Sequence, residues 1–434
     1  MSSSLIIGFS GFAGIVVLIA LRVPVGLALG TVAFIGLWAI VGIDIAFSLM
    51  RILPFDFAAS WELSAIPMFL LMGTVAHRSG MTASLFQVAR LWLGFLPGGL
   101  AVATNMACAG FAAASGSSLA TTMAMGRITI PEMLKHKYDP GLATGVVACA
   151  GTLGILIPPS ILMVLYGVFA EVSVGALFIA GILPGLLTAG IYSLMIVGRC
   201  MIWPDIAPAI KERYTWRQKF KALAEVWPLP VLILFVIGSI YGGVATPTEA
   251  GAVGAFIAIL IALAQRRLTL AIFREALREA IFSTASIFFV AIGAILLTRF
   301  MAFSGVPVFM GNVMQDLAVN GLWLVIGTSV IYLILGMFLD PLGMMLLTLP
   351  VLLPMFKAFN LDLIWFGILL VKFIEIGLIT PPVGLNVYGV KVMVPEIPLE
   401  RIFIGALWFL GCEIVIVVLL IAFPQISLWL PSLM

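Results

Sequence analysis

The chain has 434 residues, of which 63% are hydrophobic and 9% charged, and its mean hydropathy is +1.24. A soluble domain carries about 25% charged residues, so a water-exposed globule is excluded. The formal net charge of +3 excludes nothing until each charge is assigned to one side of a membrane.

In lipid, every backbone polar group must be satisfied within the chain, which leaves helices or closed barrels. Residues 5–21 and 24–41 are continuous apolar runs. A barrel would show segments of about 10 residues with alternating polarity, so the pattern predicts an all-α polytopic membrane protein. Because the second run follows the first at once, the first reads as a retained transmembrane helix rather than a cleaved signal. The apolar stretches 100–112 and 119–125 flank Ala113, Ala114, Ser115, Gly116, Ser117 and Ser118. Each is shorter than the roughly 20 residues a span needs, which predicts a re-entrant hairpin with its tip at 115–118. Next comes Gly154-Ile155-Leu156-Ile157-Pro158-Pro159-Ser160. Two adjacent prolines remove two amide donors and disfavour helix at the residue before each. The helix must open there and free carbonyls near Gly154 to Ile157.

A basic loop follows over 199–221, then apolar runs 226–241 and 250–264. Residues 269–281 (TLAIFREALREAI) place Leu270, Ile272, Phe273, Leu277 and Ile281 on one face and Arg274, Glu275, Arg278 and Glu279 on the other. That pattern predicts an amphipathic helix, read either as an arm lying flat on the membrane or as a plain connector. The second half repeats the earlier plan. Gly336-Met337-Phe338-Leu339-Asp340-Pro341 reads as a second hairpin tip, and Gly377-Leu378-Ile379-Thr380-Pro381-Pro382 as a second broken helix. Asp340 before Pro341 suits an N-cap followed by the first helical position. Ser117 or Ser118 would cap the other tip.

Lys and Arg accumulate on the cytoplasmic side of membrane proteins. Placing the 199–221 loop inside and tracing outward puts all 22 Lys and Arg inside except Arg51, Arg299, Lys357 and the intramembrane Lys372. Both termini then lie outside. In this layout the helix holding Pro158-Pro159 runs outward and the one holding Pro381-Pro382 runs inward. Pro131, Asp139, Gly154, Pro158 and Pro159 recur 223 positions later as Pro354, Asp362, Gly377, Pro381 and Pro382, and Tyr166-Gly167 recurs with a slip as Tyr388-Gly389. Gly, Pro and Asp shape backbone, and two such repeats of opposite orientation are a signature of secondary transporters.

A helix N-terminus offers free amides and partial positive charge to an anion. Opened carbonyls and hydroxyls offer hard oxygens to a small cation such as sodium. Two tips facing two broken helices therefore predict an anionic-solute site flanked by two cation sites. The candidate solute-binding residues are Ser115, Gly116, Ser117, Ser118, Pro158, Pro159, Asp340, Pro381, Pro382 and Asn386. Each has a structural alternative: small-residue packing for 115–118, simple kinks for the Pro pairs, an N-cap alone for Asp340. Lys372 and Glu375, costly at membrane depth, lie three apart and can pair on one helix face, as a functional or a structural ion pair.

With these motifs in this order, nearly the whole chain resembles the large membrane subunit (M subunit) of TRAP transporters, tripartite ATP-independent periplasmic. The resemblance implies a sodium-coupled, elevator-type importer in the bacterial inner membrane. It implies as partners a small membrane subunit (Q), expected as a separate polypeptide, and a periplasmic substrate-binding protein (P). The cargo it implies is a carboxylated solute such as sialic acid or a C4-dicarboxylate. Carried over by motif, one sodium site would use Gly336, Gly377, Thr380 and Val383, and its mirror Ala113, Ser115, Gly154, Ile157 and Ser160. Lys372 departs from the pattern, where Asn is expected. The division is scaffold helices over 1–90, a first transport repeat over 91–200, a basic loop with scaffold helices and arm over 201–281, and a second repeat over 282–434.

No enzyme is expected. An intramembrane hydrolase needs a nucleophile with a base, and His77 and His136 fall in expected cytoplasmic loops. No cofactor, metal other than sodium, or nucleic-acid partner is expected; membrane lipid is. A channel and a binding-protein-independent symporter of a related elevator fold are the remaining alternatives.

Overall fold

The computed structural model describes residues 3–82, 84–208, 214–316 and 320–434, and every regular element among them is helical. The chain opens with α1 (Ser3–Ala20), α2 (Val25–Val41), α3 (Ile43–Ala58), α4 (Ala65–Arg78) and the short α5 (Ser84–Leu93). Next come α6 (Gly99–Ser115), α7 (Ser118–Lys135), α8 (Pro140–Ala150), α9 (Leu153–Leu156), α10 (Ile161–Ala170) and α11 (Val174–Ile202), over the stretch expected to be the first repeat. The connecting region holds α12 (Trp216–Val226), α13 (Pro228–Tyr241) and α14 (Pro247–Ala264). Then follow α15 (Leu270–Ser304), α16 (Val306–Asp316), α17 (Gly321–Gly336), α18 (Pro341–Ala358), α19 (Leu363–Ile379), α20 (Leu385–Met393), α21 (Leu399–Ala422) and α22 (Gln425–Leu428). Six of these are long and apolar enough to cross a membrane, or up to nine spans if each of three bent pairs counts as one.

Burial grades from rim to centre. In α1 only Gly8 and Ile15 are buried, which leaves a helix apolar all round facing lipid or a partner. In α19 every residue from Trp365 to Ile379 is buried, and α8 is buried from Gly141 to Ala150. The two broken helices are therefore innermost, where their opened backbone is shielded from lipid as P–P breaks at membrane depth require.

Both predicted hairpins form. α6 and α7 pack together and are joined by Gly116 and Ser117 alone, with Gly116 at φ +60. At 17 and 18 residues the arms are longer than the apolar runs suggested, because α7 continues past Met125 through Arg127 to a polar end. α17 and α18 form the second hairpin, its turn running from Met337 to Asp340. The breaks lie slightly later than expected. Gly154 remains in the short α9, and the backbone opens over 157–160. Gly377 remains in the last turn of α19, and the opening runs from Thr380 to Gly384. Both Pro–Pro bonds are cis.

Two expectations change. The amphipathic stretch is not separate from the following span: α15 is one helix of 35 residues. No Gly or Pro occurs between Leu270 and Ile292, so nothing in the sequence stops it. Its Ala276 and Ala280 pack inward, while Leu270, Leu277 and Ile281 stay exposed. Arg78 of α4 pairs with Glu275 and Glu279 on its polar face. The basic loop also contains more structure than predicted. Thr215 and Gln218 form a capping box that starts α12, which meets α13 at 51° and sets Trp216 and Phe220 edge-on against Trp92 of α5. Lys211 and Arg213 of that loop lie outside the described residues.

Candidate functional site

The two tips and the two broken helices meet around one cavity of 460 Å³. The first tip contributes Gly116, Ser117 and Ser118, the second Asp340 and Pro341, and the second broken helix Leu378, Leu385 and Asn386. The first broken helix contributes Ile155, Ile161 and Leu162, and Ser283 and Ser286 of α15 close the side. Helix α7 points its N-terminus here. Ser117 is its N-cap and accepts from the Ala120 amide, which leaves other first-turn amides for a ligand. Helix α18 does the same from the opposite repeat, with the Asp340 carboxylate accepting from the Leu342 and Gly343 amides, both at 3.1 Å.

Asn386 ties the halves together. It is fully buried, donates through Nδ2 to Ser118 Oγ at 2.7 Å and to the Ala148 carbonyl at 3.1 Å, and accepts from Ser118 Oγ at 2.9 Å. One side chain of the second repeat thus fixes the first hairpin tip against α8.

Oxygen-rich clusters flank the cavity. At the first break, Ser115 Oγ lies 2.7 Å from Thr121 Oγ1, and Thr121 Oγ1 donates to the Ser117 carbonyl at 2.8 Å. Gly154 packs on this group so closely that a Cβ there would stand 2.4 Å from the Ser117 carbonyl oxygen and 2.7 Å from Thr121 Oγ1. Ser160 caps α10 and donates to the Ile155 carbonyl at 2.6 Å. Ala113 lies buried in the last turn of α6, and Ile157, in the opened segment, packs beneath Gly185 of α11. At the second break, Gly336 and Gly377 touch backbone to backbone: a Cβ on either would lie 2.5 or 2.6 Å from the other's Cα. Thr380 Oγ1 donates to the Ile376 carbonyl at 2.6 Å. Gly384, at φ +59, turns the chain back over the Thr380 carbonyl, with Val383 half-buried between them. Ala113, Gly154, Ile157 and Ser160 relate to Gly336, Gly377, Thr380 and Val383 by the same 223 positions.

The donors in both clusters are neutral hydroxyls and carbonyls at helix ends. Among the described residues no group of three or more His, Cys, Asp or Glu could hold a metal. Hydroxyl and carbonyl oxygens are the donor type that hard cations accept.

Of the sequence-predicted solute residues, Gly116, Ser117, Ser118, Asp340 and Asn386 line the cavity, while Ser115 turns to the oxygen cluster. The four prolines do not line it. Pro158 and Pro159 are buried, with the Pro159 carbonyl under Gly116, and Pro382 is exposed. They shape the openings rather than the wall. Sequence reasoning missed Thr121, whose place in an unremarkable helical turn hides a hydroxyl one turn from the tip. It also missed the apolar wall, because Ile155, Leu162 and Leu378 carry no signal beyond hydrophobicity.

Behind the second break lies a charged cluster with no exposure at all: Lys372, Glu375 and Glu413. Lys372 Nζ lies 2.6 Å from Glu375 Oε2 and 2.8 Å from Glu413 Oε2, and it donates to Thr188 Oγ1 at 3.3 Å. Tyr192 donates to Glu413. The expected Lys372–Glu375 pair exists, but it belongs to a larger group joining α11, α19 and α21.

Comparison with known proteins agrees with this architecture. The family model described as "Tripartite ATP-independent periplasmic transporter, DctM component" matches residues 12–426. A C4-dicarboxylate TRAP transporter large permease protein, DctM, of Vibrio cholerae serotype O1 is 34% identical over 401 residues, covering 87% of each chain. A sialic acid TRAP transporter large permease protein, SiaM, of the same organism is 32% identical over 375 residues, covering 86% of this chain and 87% of that one. The crystal structure of the Alcanivorax borkumensis YdaH transporter matches with a TM-score of 0.62 at 17% identity, covering 89% of this chain and 90% of that one; that likeness concerns the fold. These relatives are named as transporter permeases rather than enzymes. This all-α, multi-pass inner-membrane chain belongs to the DctM family, the large membrane subunits of TRAP transporters.

Proposed function

We propose that this chain is the transport subunit of a sodium-coupled importer of a small carboxylated solute, and that a periplasmic binding protein delivers the solute to it. The observation that carries the reading is the convergence of both hairpin tips and both broken helices on one 460 Å³ cavity, with neutral oxygen clusters beside it. A carboxylate seated at the start of α7 and α18 would meet helix N-termini. Sodium held by Ser115, Thr121 and the carbonyls around Gly154, and by Thr380 and the carbonyls around Gly336 and Gly377, would fix the geometry of each tip. Solute affinity would then depend on sodium, and by linkage sodium affinity on solute.

The transport core would be 91–200 and 306–434, moving against helices of 1–90 and 201–304, the boundary falling after α15 rather than at 281 because α15 is one continuous helix. The exposed apolar faces of α1 and α2 would be available to the small membrane subunit. Proteoliposomes holding this chain and its small subunit should take up labelled succinate or sialic acid only with an inward sodium gradient and the binding protein present. Uptake without the binding protein would favour a self-sufficient symporter, and sodium-independent uptake would refute the coupling.

A further inference from the structure

A second cavity of 670 Å³ adjoins the first, sharing Leu70, Ser117 and Ser283 with it. One wall is a single face of α7: Ser117, Ala120, Ala124 and Arg127 are spaced at three- and four-residue intervals, so they stack along one stripe. The facing wall is α4, through Gly73, Thr74 and His77. The cavity therefore runs from the first hairpin tip toward the end of α7 that carries Lys135, His136 and Lys137, the basic and hence cytoplasmic side.

Its charges are unequal. Arg78 is paired with both Glu275 and Glu279, so that group carries one excess negative charge, and Glu279 lines the cavity with it. Arg127 is exposed on the wall, and among the described residues it has no ion-pair or hydrogen-bond partner. It stands ten residues, about 15 Å along the helix axis, from the Ser117 cap. A guanidinium free of partners presents five donors suited to a carboxylate.

We propose that Arg127 forms a second anion station, which receives the solute carboxylate as it leaves the tip site for the cytoplasm. This rests on the reading of the solute as a carboxylate. Because Arg127 and the tip belong to one helix, their separation stays fixed when the core moves against α4. The station thus offers the departing anion a charge partner beyond the largely apolar tip cavity, which lowers the barrier to release.

Two measurements test this. In the first, Ala124→Cys is placed beside Arg127 in the full chain with its small subunit, in vesicles exposing the cytoplasmic face; the four native cysteines are buried. Adding Arg127→Gln should lower the ratio of anionic to cationic methanethiosulfonate reaction rates about five-fold, with Arg127→Lys restoring it. A ratio unaffected by Arg127→Gln overturns the station. In the second, the maximal rate of succinate import should fall about five-fold in Arg127→Gln and recover in Arg127→Lys. Full import by Arg127→Gln, with the thiol ratio lowered, would make Arg127 a topological anchor and overturn the proposal. Import that ignores sodium in the parent would refute the coupled-importer reading, while the thiol ratio still decides the charge of the vestibule.

Discussion

Replacing Lys372 with Met should be among the most damaging single changes outside the solute cavity. Lys372, Glu375 and Glu413 are wholly buried, and Nζ contacts one Glu375 oxygen and both Glu413 oxygens. Glu375 Oε1 has no hydrogen-bond partner even with the lysine present. Removing the only cation of the cluster leaves two carboxylates without a counter-charge where water cannot reach them. Breaking a buried pair in this way costs about 3–5 kcal/mol, and here two carboxylates lose one partner. At a few degrees per kcal/mol for a large chain, the thermal midpoint of the detergent-solubilised protein should drop by on the order of 10 °C. The triple variant Lys372→Met, Glu375→Gln, Glu413→Gln removes every charge and should recover most of the loss, since a buried ion cluster contributes little against neutral groups of its own shape. Midpoints would be read by size-exclusion chromatography after heating. A single variant within a degree or two of the parent would refute the reasoning, as would a triple variant no better than the single.

Arg78→Ala removes partly exposed pairs to Glu275 and Glu279 and should cost no more than about 1 kcal/mol, a small midpoint shift in the same assay. Gly336→Ala or Gly377→Ala puts a Cβ within 2.5–2.6 Å of backbone; overpacking of this kind costs about 1–3 kcal/mol or more, so both should lower expression and midpoint. Thr380→Ala removes a hydroxyl bonded to the Ile376 carbonyl and should raise the sodium concentration for half-maximal uptake more than it lowers expression; equal losses would mean a structural role. Asp340→Ala removes the two hydrogen bonds that the carboxylate accepts from the Leu342 and Gly343 N–H groups at the start of α18 and should destabilise by about 1 kcal/mol, with Asp340→Asn retaining most of the cap.

Much of this architecture was legible because it is written in backbone-shaping residues. The Pro pairs, Gly154 and Gly377, and the Asp340-Pro341 step mark breaks and caps through the dihedral angles and missing donors they impose, and those constraints do not depend on tertiary context. Asp340 caps α18 as its place before Pro341 suggests, and of Ser117 and Ser118 it is Ser117 that caps α7. What stayed hidden depends on contacts between distant segments. Glu413 reads as an isolated charge in an apolar helix until α21 folds against α19. Asn386 could be placed near the second break, but its bond to Ser118, 268 residues away, has no local signature. The continuity of α15 was missed for another reason: polarity along a helix can change without the backbone stopping. Arg127 lies beyond the apolar run 119–125, where polarity alone suggests an end to the hairpin arm.

The central claim is that the cavity between the tips binds an anion only together with sodium. Leu119→Cys places a thiol on the wall of that cavity without altering a tip hydroxyl or a cap. Its alkylation rate should be slowed by succinate in sodium buffer and left unchanged by succinate in choline buffer. No protection by any carboxylate of the panel in sodium, or equal protection in choline, would contradict the account.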